Sequence, residues 1–179
     1  MPITAAAAFA GISAAASIGG GIMGGDIASW CSIQGYSVSV QDKDPESLAA
    51  TRKRAQKSCE KNYKRHRRAI TAANGRIIMD NGGSGLAKAA LIVERTCQTD
   101  VVKRSLYQDI EPRMKDDAIL AINTSSIMLE DLSSSLKKPG RLVGLHFFNP
   151  VAMMPLVEII RGDNTDEMVM QKASAFARD

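Results

Sequence analysis

Two residues in the last quarter of the chain have the types and spacing needed for proton transfer. His146 lies in 144-GLHFFNP-150, and Glu158 follows twelve residues later in 155-PLVEII-160. Each sits late in an apolar run that reads as a strand. If those strands are neighbours, the carboxylate meets one ring nitrogen, fixes the tautomer and stabilises the imidazolium. The other nitrogen is then left to take a proton. By itself a histidine of this kind is more often a satisfied core residue, so the pair needs support from elsewhere in the chain.

A second group lies near the start. Gly19-Gly20-Gly21-Ile22-Met23-Gly24 fits G-x-G-x-x-G between a possible strand and a helix. Gly19 permits a tight turn, Gly21 lets backbone approach a pyrophosphate, and Gly24 lets the helix pack closely on a sheet. The N–H groups at the helix start then attract phosphate. Asp42 lies 18 residues after Gly24, at the end of the next strand. A carboxylate there accepts from a ribose diol and repels a 2′-phosphate, which favours NAD over NADP. The bland alternative is a flexible glycine-rich linker followed by a solvated acid. A third group, Asn123, Thr124, Ser125 and Ser126, follows a buried apolar run, where ligands bind in parallel sheets. Helix capping explains Ser126 better.

The elements that must position these groups follow from pattern. Strands are expected over 12–18, 36–41, 76–79, 89–93, 118–122, 141–148 and 155–160. Helices are expected over 22–34, 44–69, 101–113, 129–138 and 163–177. Asp44-Pro45-Glu46 is a strong helix start: an N-cap acid, a proline at the first helical position and an early acid. Strands alternating with helices imply the α/β class, a Rossmann-type doubly wound and mostly parallel sheet. Residues 1–179 read as one domain, with 44–74 a helical arm between strands. The chain stops in mid-helix, so a portion of a longer protein is expected.

Composition narrows the function. Hydrophobic residues make up 45% and charged residues 23%, as in a soluble globular protein. The net charge of +4 is local, since nine Lys/Arg and one Glu lie between Arg52 and Arg68. That argues for a patch facing an anion. Cys31, Cys59 and Cys97 have no metal or disulfide spacing, and two histidines are too few for a His-based metal cluster. The Ala-rich start has no basic residue before Lys43 and is dominated by Ala, Gly and Ser, where a membrane helix wants bulkier side chains. Neither a signal peptide nor a membrane span is read, and a cytoplasmic setting is expected. Trp30 and Cys31 are expected to pack the first helix on the sheet. Met153 and Met154 fit either an acyl groove or the core.

Taken in order, 19-GGGIMGGDIA-28, 118-AILAINTSSI-127, 142-LVGLHFFNPV-151 and 155-PLVEIIRG-162 closely resemble the 3-hydroxyacyl-CoA dehydrogenases. The nearest likeness is to the dehydrogenase portion of bacterial multifunctional fatty-acid oxidation proteins. The resemblance runs from Gly19 onward, and HFFNP is its most specific element. It implies NAD as cofactor, an acyl-CoA as substrate, and His146 as the base for the 3-hydroxyl proton. It gives Glu158 the role of partner to that histidine, Ser125 contact with the substrate oxygen, and Asn149 a place beside the active site. The glycine loop with Ile22 and Met23, together with Asp42, Glu94, Gln98 and Lys103, falls at cofactor-binding positions.

Three departures stand out. The family usually reads VEA-x-x-E where this chain has 93-VERTCQ-98, so Gln98 replaces a cofactor-contacting Glu. The arm after the second strand is shorter than usual. The family's helical C-terminal domain, which closes the acyl site and mediates dimerisation, is absent, so a homodimer or a multifunctional complex is expected only of a longer protein. The present portion is expected to bind cofactor and to turn over poorly alone, with a non-catalytic dinucleotide-binding module as the alternative.

The basic segment is open to three readings: a solvated helix face, a nucleic-acid patch, or a site for an anionic ligand. Only Tyr63 offers stacking, and no RNA-binding signature is present, so nucleic acid is not expected. The resemblance implies contact with coenzyme A, with Ser58 and Arg65 where such contacts fall.

Overall fold

A computed structural model describes residues 14–64, 66–96, 99–123, 127–154 and 156–178. Of the expected site residues, Arg65, Gln98 and Ser125 lie outside them.

Seven strands among the described residues form one sheet: β1 (Ala14–Ile18), β2 (Ser37–Gln41), β3 (Ile77–Met79), β4 (Leu91–Glu94), β5 (Ile119–Ile122), β6 (Leu142–Phe147) and β7 (Val157–Ile160). Their order is β3-β2-β1-β4-β5-β6-β7. All pairings are parallel except β6 with β7. The first six strands follow the Rossmann order, which reverses direction between β1 and β4 and opens a crevice there.

Both faces of the sheet are covered, and the strand alternation explains how. Ala15, Leu91, Val93, Ile119, Ala121, Val143 and Leu145 point to one side. There they meet helix α1 (Ile22–Gln34) and helix α6 (Glu167–Ala177), through residues such as Ile27 and Phe176. Ala16, Ile18, Ile92, Leu120 and Ile122 point to the other. There Tyr107 and Ile110 of α4 (Asp100–Ile110) and Leu129 and Leu132 of α5 (Leu129–Ser133) close the second core. Burial on both faces explains why the central strands read as continuous apolar runs. Cys31 is buried in the first core, and Trp30 packs at its edge.

The arm departs from expectation. One helix was expected from Asp44 to Ala69, but the arm is two: α2 (Pro45–Tyr63) and α3 (Arg67–Gly75). Lys64 adopts a φ of 51° with a ψ of −110°, outside the helical region, and this stops α2. The cations Lys61, Lys64, Arg67 and Arg68 would line one another at three- and four-residue spacing in a continuous helix, and their repulsion opposes it. Tyr63 anchors the end by donating its hydroxyl to the Ile33 carbonyl at 2.8 Å. At the start of α2, Asp44 accepts from the N–H of Glu46 at 3.0 Å and of Ser47 at 3.1 Å, the expected cap.

A second correction concerns the stretch 129–138, expected to be one helix. It ends at Ser133. Ser133, Ser134 and Ser135 each donate the hydroxyl to a carbonyl three residues back, at 2.9, 2.8 and 2.7 Å. These local bonds compete with helix propagation. The N–H groups of Lys137 and Lys138 donate instead to the Glu111 carboxylate, at 2.8 and 2.9 Å. The last helix starts at Glu167, not Asp163, because Thr165 closes a turn by accepting from Gly162 N–H and donating to the Leu142 carbonyl. No described helix is long and apolar enough to cross a membrane.

Candidate active site

The glycine loop joins β1 to α1 at the point where the strand order reverses. Gly19 has a φ of 99°, and a Cβ there would strike the Arg95 carbonyl. A Cβ on Gly24 would collide with the Gly19 carbonyl oxygen. Only glycine lets the loop, the helix and the end of β4 approach this closely. Gly21 is the N-cap of α1, with no side chain capping the helix and no acid in its first turn. The N–H groups of that turn have no intrahelical partner, so they remain available to an anion.

Gly20 is held from both sides. Asp42 Oδ2 accepts from Gly20 N–H at 2.6 Å and from the Ser47 hydroxyl at 3.1 Å, while Oδ1 accepts from Asp44 N–H at 2.9 Å. The Gly20 carbonyl accepts from the Thr51 hydroxyl, and from Arg54 Nη2 at 3.1 Å. Asp42 thus shapes the loop while keeping an acceptor position on Oδ1 to spare. Thr51 and Arg54 were missed in the sequence: Thr51 was not singled out, and Arg54 was read only as part of the basic segment, for which a solvated helix face was one of three readings.

Glu94 and Lys103 form an internal pair beside the crevice. Their side chains are 0% and 1% exposed, and Lys103 Nζ bonds both carboxylate oxygens, at 2.9 and 2.7 Å. Tyr107 donates its hydroxyl to Glu94 at 3.1 Å, and Thr96 donates its N–H at 2.5 Å and its hydroxyl at 2.6 Å. Burial, reinforced by the Glu94 charge, pushes the Tyr107 hydroxyl far above the usual phenol range, so it stays a donor. The Glu94 carboxylate points inward, to Lys103, Tyr107 and Thr96. Lys103 still lines the floor of the crevice.

His146 and Glu158 are opposite one another on β6 and β7. Nδ1 and Oε2 are 3.0 Å apart. The imidazole packs against the Phe148 ring at a centroid distance of 4.6 Å. The Asn123 side-chain carbonyl accepts from Phe147 N–H at 2.7 Å and ties the end of β6 to the end of β5. With the carboxylate on Nδ1, Nε2 is the nitrogen left to exchange a proton.

A cavity of about 470 Å³ connects these groups. Met23 lines it from α1, and Arg95, Thr96 and Lys103 line it from the end of β4 and from α4. Asn123, His146 and Asn149 close it from the ends of β5 and β6. Ile22, 61% exposed, stands at the start of α1. Ser58 is half-buried on α2 and does not line this cavity. Arg95 and Thr96 were missed as site residues. The available signal was their place directly after a buried strand at the reversal of strand order.

A dinucleotide fits the features in hand. A turn that a Cβ at Gly19 or Gly24 would obstruct leads into a helix start without cap or acid, and an acid stands at the end of the next strand. The sequence matches the family described as "3-hydroxyacyl-CoA dehydrogenase, NAD binding domain" over residues 14–179. The chain belongs to this family. Its cofactor is NAD.

Relatives of this NAD-binding domain agree. The fatty acid oxidation complex subunit alpha of Pseudomonas putida is 35% identical over 170 residues, which cover 93% of this chain and 24% of that protein. The domain therefore spans about a quarter of the length of the curated relatives it matches. Among solved structures, FadB2 of M. tuberculosis superposes with a TM-score of 0.87 at 33% identity, covering 93% of this chain and 60% of that one. The (S)-3-hydroxybutyryl-CoA dehydrogenase of Ralstonia eutropha gives a TM-score of 0.88 at 26% identity, with the same coverage of both chains.

Proposed function

We propose that this domain oxidises a (3S)-3-hydroxyacyl-CoA to the 3-oxoacyl-CoA in fatty-acid β-oxidation. The observation that carries the reading is His146, backed by Glu158, in the same cavity as the glycine-loop helix. NAD bound along the glycine loop supplies the acceptor for the hydride that leaves C3. Asp42 and the first turn of α1 hold it there. His146 Nε2 takes the proton of the 3-hydroxyl. Glu158 stabilises the imidazolium through Nδ1 and keeps the ring aimed into the cavity. Ser125 holds the substrate oxygen, and Asn149 borders it from the β6 end. Ser58 and Arg65 on the basic arm meet the coenzyme A phosphates, for which cations are natural partners. Assembly as a homodimer or within a larger oxidation complex belongs to the full-length protein.

The test is oxidation of NADH with acetoacetyl-CoA by the full-length protein. His146→Ala lowers turnover by roughly 10²–10⁴-fold, the loss expected of a positioned base, while NADH binding persists. Unchanged turnover would remove His146 from the reaction.

A further inference from the structure

We propose that Arg95 is a binding residue for the cofactor's pyrophosphate, adding a side-chain cation to the backbone N–H groups of the glycine-loop helix. The proposal rests on the dinucleotide lying along that loop, as read above.

Arg95 is the first residue after β4, the strand beside β1 where the order reverses. Its backbone is fixed by the N–H it donates to the Ile18 carbonyl at 2.9 Å, and its own carbonyl lies against Gly19. The guanidinium reaches over the start of α1: its Nη1 is 3.4 Å from where a Cβ on Gly21 would stand. It also lines the cavity that holds His146.

Arg104, Arg113 and Arg161 each hold a carboxylate. Among the described residues, no carboxylate pairs with Arg95. Glu94, the adjacent acid in the chain, is already paired with Lys103. The first turn of α1 carries no acid. A planar fork of donors beside a helix start therefore faces the same open space from a second direction, and a pyrophosphate satisfies both.

The experiment measures binding of NADH and of ADP-ribose to the full-length protein by calorimetry, at low and high salt. Arg95→Ala weakens both ligands by roughly ten- to a hundredfold, the range for a hydrogen bond to a charged group. It also flattens the salt dependence, and Arg95→Lys recovers part of the loss. Wild-type protein that binds NADH, with Arg95→Ala binding it equally or more tightly, overturns the Arg95 assignment and leaves the cofactor reading intact. NADH weakened with ADP-ribose unaffected moves the contact to the nicotinamide end and also overturns it. Wild-type protein that fails to bind NADH overturns both.

Discussion

His146 and Glu158 are a register pair of the antiparallel β6–β7 ladder, so their 3.0 Å contact is fixed by backbone pairing and not by loop conformation. A change confined to the carboxylate should therefore act on proton transfer and leave cofactor binding alone. Glu158→Gln keeps the size and removes the charge. Turnover is expected to fall about ten- to a hundredfold, the lower part of the range for a neighbouring opposite charge, because Glu158 is half exposed. Steady-state kinetics and NADH titration on the same preparation check it. An equal loss in both would give Glu158 a structural role only.

Gly144 guards that pairing. A Cβ there would lie 2.7 Å from Ile160 Cβ, on the strand that carries Glu158. Gly144→Ala must push β7 away from β6, at a cost of about 1–3 kcal/mol in stability. Urea unfolding reads the loss, and turnover should fall with it as the carboxylate shifts. Wild-type stability in this variant would mean that the edge strand yields freely.

The Glu94–Lys103 pair is sealed from solvent. Lys103→Met leaves a buried carboxylate without its counter-charge, and is expected to destabilise by about 3–5 kcal/mol. Adding Glu94→Gln removes the stranded charge and should recover a good part of that. The four unfolding curves of the double-mutant cycle measure the coupling. Additive losses would show that Tyr107 and Thr96 stabilise Glu94 without the lysine.

Cys31 is buried in the first core, and burial pushes its thiol from the ordinary 9.0 up to about 12. The unfolded chain releases this proton first. The associated stability is thus complete below about pH 9 and declines as pH rises toward about 12. The native thiol should also resist iodoacetamide at mildly alkaline pH and react on addition of denaturant. Peptide mass spectrometry distinguishes the two states, and fast native labelling of Cys31 would contradict its burial.

Much of this was legible because the signals were local. The cap at Asp44, the glycine spacing and the alternating strands each depend on residues a few positions apart. The His146–Glu158 contact needed one assumption, that β6 and β7 adjoin. What the sequence concealed depended on distant partners. The break at Lys64 reflects crowded cations together with an anchor thirty residues away at Ile33. The early end of α5 needs Glu111 to claim the amides of Lys137 and Lys138. Thr51 and Arg54 went unassigned because nothing nearby in sequence says that Gly20 lies beneath them.

That grip on Gly20 has a further effect. One residue, Gly20, is shared between the end of β2 and the front half of the basic arm, through Asp42 on its N–H and Thr51 and Arg54 on its carbonyl. Tilting the arm must therefore tug the loop that cradles a dinucleotide, and filling the cradle must steady the arm. By reciprocity of linkage, whatever docks on one end alters the grip at the other by the same factor.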